Sequence, residues 1–511
     1  MSAANGKVIK GEDLKFDVGL ISAVSKKYLT TELGTVNVNG TSLKSKQVWT
    51  LTPADDKLFY LSNKVAKSDK ITVYRLAHDK TGSTVTAERM DEDTTSELKQ
   101  KFRIEPLGDG KFAIKSATHD YLSASKLSCQ SKTVGVDETW SIQLAIHPQV
   151  NIFSVQRQRF AHLDSERDMI VFNEGIPWGG NAVLTLIWDA GASQYLIQAA
   201  DDRFVTVDGS LTLDKSNDAL FSLEFHGESI AFKNGGKYLS VGGTDGELKT
   251  RKATLGIESL FRLEDSYPQG VFYSVGNSNK LVSWKQDIHV SAMCREDEMG
   301  KKEIFQLECA VGKTNEFAIR STDGEYWTMP SGKQDILKTG KSKKDACVFE
   351  LVYTDKVGTV SLRAKSNGNY VRAKSTGPLV ADSSSINDYE TFRFKLINRP
   401  NLVLKGEYGF IGLRKMFECN RTTADNEVIQ VTSEDDGTYT FRGKDPNTAW
   451  SADDQGNYVL SEGNPEKFTL EFVKRSHFLL RASNGKLLEG KQHGEMRATG
   501  TEMKKSTLWE F

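Results

Sequence analysis

The most constraining feature of this 511-residue chain is an internal repeat of short strands. Each copy places an aromatic residue two positions before an apolar one. The ten clear copies begin at Trp49, Phe102, Trp140, Phe221, Phe261, Phe305, Phe349, Phe392, Phe468 and Trp509. Two intervals are nearly double the others and each holds a weaker copy, Leu184-Thr-Leu or Ile429-Gln-Val, which makes 12. The mean spacing is about 42 residues, so one structural unit recurs along the chain.

A second sequence pattern recurs at the same interval as these closing strands. A Tyr-Leu pair or a relative of it precedes them by about 17–28 residues, as at Lys27-Tyr-Leu and Lys237-Tyr-Leu. Ahead of many such pairs lies a segment like Ile230-Ala-Phe-Lys, in which apolar and polar residues alternate as they do in a half-buried strand. Each unit therefore predicts several short strands joined by Gly, Asn and Asp turns.

Repeats of about 40 residues with four strands fit either the blades of a propeller or the three repeats of a β-trefoil. A propeller has about 4–8 blades with paired Gly-His and Trp-Asp signatures, and Trp188-Asp189 is not periodic here. A trefoil closes on three repeats, so 12 repeats predict an all-β chain of four tandem β-trefoil domains. We expect these domains to pack as two lobes of two trefoils each. We expect an N-terminal tail at 1–12 and trefoils at 13–147, 148–268, 269–398 and 399–511.

The charge and cysteine content exclude several classes of protein. Lys plus Arg number 67 and Asp plus Glu 68, so no overall field attracts nucleic acid or an anionic membrane. No stretch approaches the length of a membrane span, and the first residues contain no apolar signal core. The five cysteines are sparse and include no C-x-x-C pair, which favours reduced thiols. We expect a cytoplasmic protein without a metal or other cofactor.

No catalytic constellation is visible in the sequence, and we expect no enzymatic activity. The eight histidines are scattered, without an H-E-x-x-H motif. The glycine-rich segment Gly242–Gly246 follows a predicted strand and precedes no helix, which favours a hairpin turn over a phosphate loop. Gln47-Val-Trp49 matches the Gln-x-Trp of ricin-type lectins, but in one repeat of 12, so a core tryptophan is favoured. A lectin-like or nucleic-acid-binding trefoil array is the alternative.

Several segments resemble a known family. His147-Pro-Gln-Val-Asn-Ile-Phe-Ser-Val and Arg159-Phe-Ala-His-Leu are similar to the junction between the first two trefoils of fascin. Further similar segments are Lys27–Glu32, Ser42–Trp49, Ile176–Gly179, Leu396–Pro400, Gly406–Gly412 and Leu508–Phe511. The resemblance implies a monomer that binds F-actin and organises the filaments into tight parallel bundles in filopodia and related projections. It implies neither nucleic-acid binding nor membrane insertion.

The resemblance also implies which residues contact actin. They are Lys27, Lys44, Lys46, Arg157, Arg159, Lys249, Lys252, Lys405, Glu407, Tyr408, Arg414, Lys415 and Lys491. A single basic residue on a strand is ordinarily just solvated, so the prediction is collective: many weak charges sum to a site for an acidic filament. We expect seven of these residues to converge in a cleft between the first and fourth trefoils: Lys27, Lys46, Glu407, Tyr408, Arg414, Lys415 and Lys491.

Ser42 matches the regulatory serine of fascins, and Lys44 and Lys46 provide a context that basophilic kinases favour. We therefore expect phosphorylation of Ser42 to weaken bundling. The sequence also departs from the family. Tyr408 stands where fascins often have His, and Glu489 stands where they carry Lys, with Lys491 close by. Leu255 and Ile257 replace basic residues late in the second trefoil, and Asn279 replaces an Arg.

Overall fold

The computed structural model describes residues 16–55, 57–67, 70–91, 96–284, 289–310, 312–354, 356–413, 417–443, 445, 447–453 and 456–511. Over these residues the chain forms 49 strands in four sheets, with short 3-10 helices and no α-helix. The 3-10 helices are Ser45–Gln47, Leu98–Gln100, Gly180–Ala182, Asn217–Ala219, Ile257–Ser259, Glu296–Glu298, Lys301–Glu303, Lys343–Asp345, Asp388–Glu390, Thr423–Asp425 and Lys505–Thr507. The predicted all-β fold is confirmed.

The first sheet shows the trefoil arrangement most clearly. Its strands are β1 (Phe16–Ser22), β2 (Tyr28–Glu32), β3 (Thr35–Gly40), β4 (Trp49–Pro53), β5 (Leu58–Lys67), β6 (Lys70–His78), β7 (Val85–Met90), β8 (Lys101–Gly108), β9 (Lys111–Ser116), β10 (Tyr121–Ser123), β11 (Ser128–Ser131) and β12 (Thr139–Leu144). Strands β1, β4, β5, β8, β9 and β12 pair in a closed ring, since β12 returns to β1. The remaining strands form one hairpin in each repeat.

The second trefoil closes in the same way, because its last strand pairs with its first. Its strands are β13 (Gln149–Ser154), β14 (Arg159–Asp164), β15 (Met169–Glu174), β16 (Leu184–Asp189), β17 (Gln194–Gln198), β18 (Phe204–Val205), β19 (Leu211–Thr212), β20 (Ser222–His226), β21 (Ser229–Asn234), β22 (Lys237–Gly242), β23 (Glu247–Lys252) and β24 (Phe261–Glu264). Gly242–Gly246 connects β22 to β23, so the prediction of a hairpin turn there is confirmed.

The third and fourth trefoils repeat the pattern. The third contains β25 (Gln269–Ser274), β26 (Lys280–Ser283), β27 (Ser291–Cys294), β28 (Phe305–Cys309), β29 (Glu316–Ser321), β30 (Tyr326–Thr328), β31 (Leu337–Gly340), β32 (Val348–Tyr353), β33 (Val360–Ala364), β34 (Tyr370–Ala373), β35 (Leu379–Ser383) and β36 (Phe392–Leu396). The fourth contains β37 (Asn401–Leu402), β38 (Lys405–Gly406), β39 (Gly409–Leu413), β40 (Phe417–Arg421), β41 (Ile429–Ser433), β42 (Tyr439–Arg442), β43 (Ala449–Ala452), β44 (Tyr458–Ser461), β45 (Phe468–Lys474), β46 (His477–Ala482), β47 (Leu487–Gly490), β48 (Met496–Gly500) and β49 (Leu508–Glu510).

The closing aromatic residues form the cores. All ten are at most 1% exposed, as the strand pattern predicts. The three closing tryptophans show why the Tyr-Leu pattern recurs at the same interval as the closing strands. The indole N–H of Trp49 donates to the carbonyl of Leu29 at 3.0 Å, and Trp140 and Trp509 bond in the same way to Leu122 and Leu488. Because Trp49 is buried and its N–H is satisfied, it offers no surface to a sugar.

The four trefoils pack as two lobes. One continuous apolar cluster runs from Phe16 to Phe261 through the first two trefoils, and a second runs from Phe272 to Phe511 through the last two. The lobes also repeat each other's contacts. Leu144 N–H donates to the Tyr195 hydroxyl at 2.6 Å in the first lobe, and Leu396 N–H donates to the Tyr439 hydroxyl at 2.9 Å in the second. The two lobes are therefore built to one plan.

The lobes meet where the first trefoil passes into the second. The Gln149 side chain donates from Nε2 to the Asn401 carbonyl at 3.1 Å and accepts the Val403 N–H at 3.0 Å. His147 donates from Nε2 to the Val403 carbonyl at 2.8 Å. These three hydrogen bonds, which we call the lobe seam, join segments about 250 residues apart and help to fix one lobe against the other.

Burial of His147 makes the lobe seam sensitive to pH. Removal of the ring from water lowers the pKa of His147 to about 4, the Glu510 carboxylate opposes this, and Arg399 and Lys405 add to it. An unfolded histidine has a pKa of about 6.5, so the folded chain binds this proton less readily. The stabilising contribution is complete above about pH 6.5 and is lost as the pH falls toward 4.

We expect the free energy of unfolding to decrease by about 2 kcal/mol between pH 7 and pH 5 through His147 alone. Urea unfolding at the two pH values measures this in the parent and in His147→Gln. The Gln variant cannot titrate at this position, so its loss between the two pH values should be smaller by that amount. An identical pH dependence in both chains would contradict the assignment.

Candidate functional site

The predicted residues of the first trefoil lie at its surface. Lys27 is exposed immediately before β2, in a turn closed by the Ser22 N–H, which donates to the Lys27 carbonyl at 3.0 Å. Lys26 in the same turn has a φ of 56°, in the left-handed region that few non-glycine residues adopt. The turn geometry is thus well defined and directs two neighbouring lysines to the surface.

The segment Ser42–Lys46 is held by a buried glutamine. The side chain of Gln47 accepts the Lys44 N–H at 3.3 Å and donates to the Thr30 hydroxyl at 3.2 Å. This anchors the 3-10 helix Ser45–Gln47 and leaves Lys44 and Lys46 exposed, with Ser42 half-buried. Lys46 pairs with Glu32 at 2.5 Å, but both side chains are more than half exposed, so the pair is weak and leaves Lys46 available.

In the second trefoil, Arg157 lies against the turn that joins β22 to β23, and Lys249 and Lys252 lie on β23. Strand β15 pairs with β23 through Val171 and Glu247, which sets the first hairpin of the trefoil beside the third. The Arg157 guanidinium reaches across and donates to the carbonyls of Gly243 and Thr244. Arg159 lies exposed at the same turn. We call this set the trefoil-2 surface.

Most charges of the trefoil-2 surface have partners. Lys249 pairs with Glu247 at 3.0 Å, and Lys252 pairs with Glu258 at 2.9 Å. Arg167, which the sequence did not single out, pairs with Asp245 at 2.8 Å. No local signal marks Arg167, because it lies in an ordinary polar turn. The surface carries both signs of charge.

Acidic side chains accompany several of the predicted residues in the fourth trefoil. Lys491 pairs with Glu489 at 2.8 Å and lowers the pKa of that carboxyl. Burial and the Glu407 carboxylate raise the pKa of Tyr408, and Glu489 adds to that rise. Lys405 pairs with Glu510 at 3.0 Å. Lys491 is thus engaged by a neighbouring carboxylate.

The predicted convergence of the first and fourth trefoils stays a prediction. Arg414 and Lys415 lie outside the described residues. Across the part of the chain that is described, no hydrogen bond or ion pair joins Lys27, Lys44 or Lys46 to the fourth trefoil. Among the described residues, the hydrogen bonds and ion pairs that join the fourth trefoil to the first lobe are those of the lobe seam and those of Arg475 with Asp265 and Glu264.

Sequence reasoning missed a cavity where three trefoils meet. It has a volume of about 410 Å³ and lies beside the lobe seam. Charged residues from the first, second and fourth trefoils line it, among them Asp17, Arg262, Arg475 and Glu510. Arg475 donates to the Asp265 carbonyl and Arg262 pairs with Glu264. No periodic signal marks these residues, because the cavity forms only when the lobes assemble.

A Ser–His pair was not anticipated. Ser116 Oγ lies 2.8 Å from His78 Nε2, but both residues are at most 4% exposed, so no substrate can reach them. Within the described ranges, no group of three or more His, Cys, Asp or Glu side chains is placed to hold a metal ion. The described residues likewise contain no helix of the length and apolarity needed to cross a membrane.

Known proteins are similar to this chain over nearly its whole length. A Fascin domain matches residues 150–263, 277–394 and 414–511. Fascin-2 of Bos taurus is 33% identical over 508 residues, and Fascin of Strongylocentrotus purpuratus is 36% identical over 527. Both alignments cover 98% of this chain, and they cover 98% and 99% of those proteins. Fascin-3 of Mus musculus is 23% identical over a similar extent. The chain belongs to the fascin family.

Proposed function

We propose that this protein cross-links actin filaments into tight parallel bundles, acting as a rigid monomer with at least two binding surfaces. The observation that carries the proposal is that candidate surfaces lie on different trefoils of one body whose lobes are fixed by the lobe seam. One surface alone would only decorate a filament, whereas two surfaces held rigidly impose a fixed spacing. Membership of the fascin family supports actin as the partner.

The first candidate surface comprises Lys27, Lys44 and Lys46 together with Glu407, Tyr408, Arg414, Lys415 and Lys491. The second is the trefoil-2 surface. Lys405 borders the first. Both present basic side chains that are exposed or only partly paired, which suits an acidic filament.

On this proposal the protein works in the cytoplasm, in filopodia or similar projections. We place the trefoil boundaries near residues 147, 268 and 398, where the sheets change.

Sedimentation at two speeds tests the proposal. Filaments alone pellet only at high speed, whereas bundled filaments pellet at low speed. We expect the purified full chain to carry actin into the low-speed pellet and electron microscopy to show parallel bundles. Actin that stays in the low-speed supernatant while the chain co-pellets at high speed would indicate a single binding surface and contradict cross-linking.

A phosphate on Ser42 is expected to weaken bundling. It would add a charge of about −1.5 to −2 beside Lys44 and Lys46, and so cancel their attraction to an acidic filament. A loss of about 1.4 kcal/mol reduces affinity tenfold. We therefore expect Ser42→Asp to bundle at least several-fold less well than Ser42→Ala in low-speed sedimentation, with equal melting temperatures. Equal bundling by the two variants at matched ionic strength would refute the switch.

A further inference from the structure

The trefoil-2 surface contains an exposed aliphatic loop beside its charges. Leu255 and Ile257 flank Gly256 and are 37% and 54% exposed. The ion pair between Lys252 and Glu258 closes the base of the loop. The hydroxyl of Ser259 lies 2.7 Å from that of Ser240 and ties the loop to β22. The two aliphatic side chains are therefore held in place at the surface, where burial in a partner would cost little conformational entropy.

The first trefoil carries the same loop. Val134 and Val136 flank Gly135 and are 37% and 67% exposed. In both loops the glycine lies five residues before the closing aromatic residue, Trp140 or Phe261. Here the Glu138 carboxylate accepts the Gly135 N–H at 2.9 Å and fixes the loop. We call Val134–Val136 and Leu255–Ile257 the aliphatic knobs.

Each aliphatic knob is adjacent to a basic turn. The Ala23 N–H donates to the Thr139 carbonyl at 3.0 Å, and the Val155 N–H donates to the Leu260 carbonyl at the same distance. These bonds attach the turn that ends at Lys27 to the first knob, and the turn that ends at Arg159 to the second. The two turns match in detail, since Lys26 and Gln158 have φ values of 56° and 55°.

The second lobe does not carry the pair. The positions equivalent to the two aliphatic residues are Ile386 and Asp388 in the third trefoil, and Met503 and Lys505 in the fourth. A single exposed aliphatic side chain is ordinary on a protein surface. Four at equivalent positions, each pair beside a basic turn and both in one lobe, form a repeated surface module.

Charge alone gives the trefoil-2 surface only a modest attraction. Its cations are Arg157, Arg159, Arg167, Lys249, Arg251 and Lys252, and the acids that form ion pairs with them are Asp164, Asp245, Glu247 and Glu258. Six positive and four negative charges leave a net charge of +2. Salt screens such an exposed field, whereas the burial of aliphatic surface is not screened.

We infer that the aliphatic knobs are apolar contacts for the actin filament, each inserting into an apolar recess of an otherwise acidic surface. The inference rests on the proposed function and adds a salt-resistant component to it. Two matching modules suit a partner that presents the same surface more than once, as a polymer of identical subunits does.

Binding of the full chain to filaments at about 0.05 and 0.3 M salt tests this inference. The variants are L255S/I257S and V134S/V136S. Leu213→Ser is the matched control, since Leu213 is 72% exposed in the second trefoil but lies outside both knobs. We expect each double variant to bind about tenfold more weakly at both salt concentrations, with an unchanged salt dependence. Arg159→Ser should instead reduce the salt dependence, and Leu213→Ser should bind as the parent does.

Three results would overturn the inference. The first is parental affinity in both double variants. The second is a loss that appears at only one salt concentration. The third is a self-association of the parent, seen by sedimentation velocity, that the variants abolish, because the knobs would then contact a second copy of this chain. If the parent itself fails to bind filaments, the proposed function fails too. Unchanged melting temperatures verify that the folds are intact.

Discussion

Reversing two charges, Lys27→Glu with Lys415→Glu, is expected to abolish bundling. Each change removes an attraction to an acidic filament and adds a repulsion. At about 1.4 kcal/mol or more per change, the pair should reduce the affinity of this surface about a hundredfold or more. Lys27 is exposed, so its replacement leaves the cores intact. Low-speed sedimentation measures the loss, and the melting temperature should not move.

The control for this variant is a second double reversal outside the candidate surfaces. Lys333 and Lys344 are exposed lysines in the third trefoil, and their replacement by Glu changes the net charge equally. We expect that control to bundle like the parent. Normal bundling by Lys27→Glu with Lys415→Glu would show that the first surface is assigned to the wrong residues.

Gln149→Leu is expected to separate filament binding from bundling. The substitution removes both hydrogen bonds that Gln149 makes across the lobe seam, and it leaves the Val403 N–H and the Asn401 carbonyl without those partners. Each unpaired buried group costs about 1–3 kcal/mol, so the free energy of unfolding should decrease by about 2–6 kcal/mol. The lobes then lose their fixed orientation, and cross-linking should fail while each surface still binds.

High-speed and low-speed sedimentation distinguish these effects. We expect Gln149→Leu to co-pellet with filaments at high speed and to form few bundles at low speed. Gln130→Leu is the matched control, because the Gln130 amide also donates to a backbone carbonyl but is exposed. It should cost less than about 0.5 kcal/mol. Full bundling by Gln149→Leu would show that the lobe seam does not fix the spacing of the surfaces.

The fold was predictable because apolar burial has a period that the sequence records. Trp49 and its equivalents must be shielded by neighbouring repeats, so their spacing revealed the repeat and the count of 12 revealed four trefoils. The Tyr-Leu signal was visible for the same reason, although its bond from the Trp49 indole to Leu29 was not. That bond depends on how the hairpin folds back over the barrel.

The candidate surfaces were predictable only in part. Sequence marks Lys405 and Lys491 as charged, but their acidic partners Glu510 and Glu489 follow from strand register and hairpin geometry. Lys405 and Glu510 are far apart in sequence and become neighbours only because β38 pairs with β49. Exposure is equally invisible in sequence, so nothing in the sequence alone indicates a role for Leu255 and Ile257.

The order of the lobes along the chain bears on how the protein is made. Each apolar cluster is contiguous in sequence, so the ribosome delivers the whole first lobe before most of the second exists. Translation at about 5–20 residues per second gives the first lobe on the order of ten seconds or more to fold alone. During that interval Gln149 and His147 face water. The lobe seam therefore closes last, and assembly of the cross-linker ends with the dehydration of a few polar groups between two finished bodies.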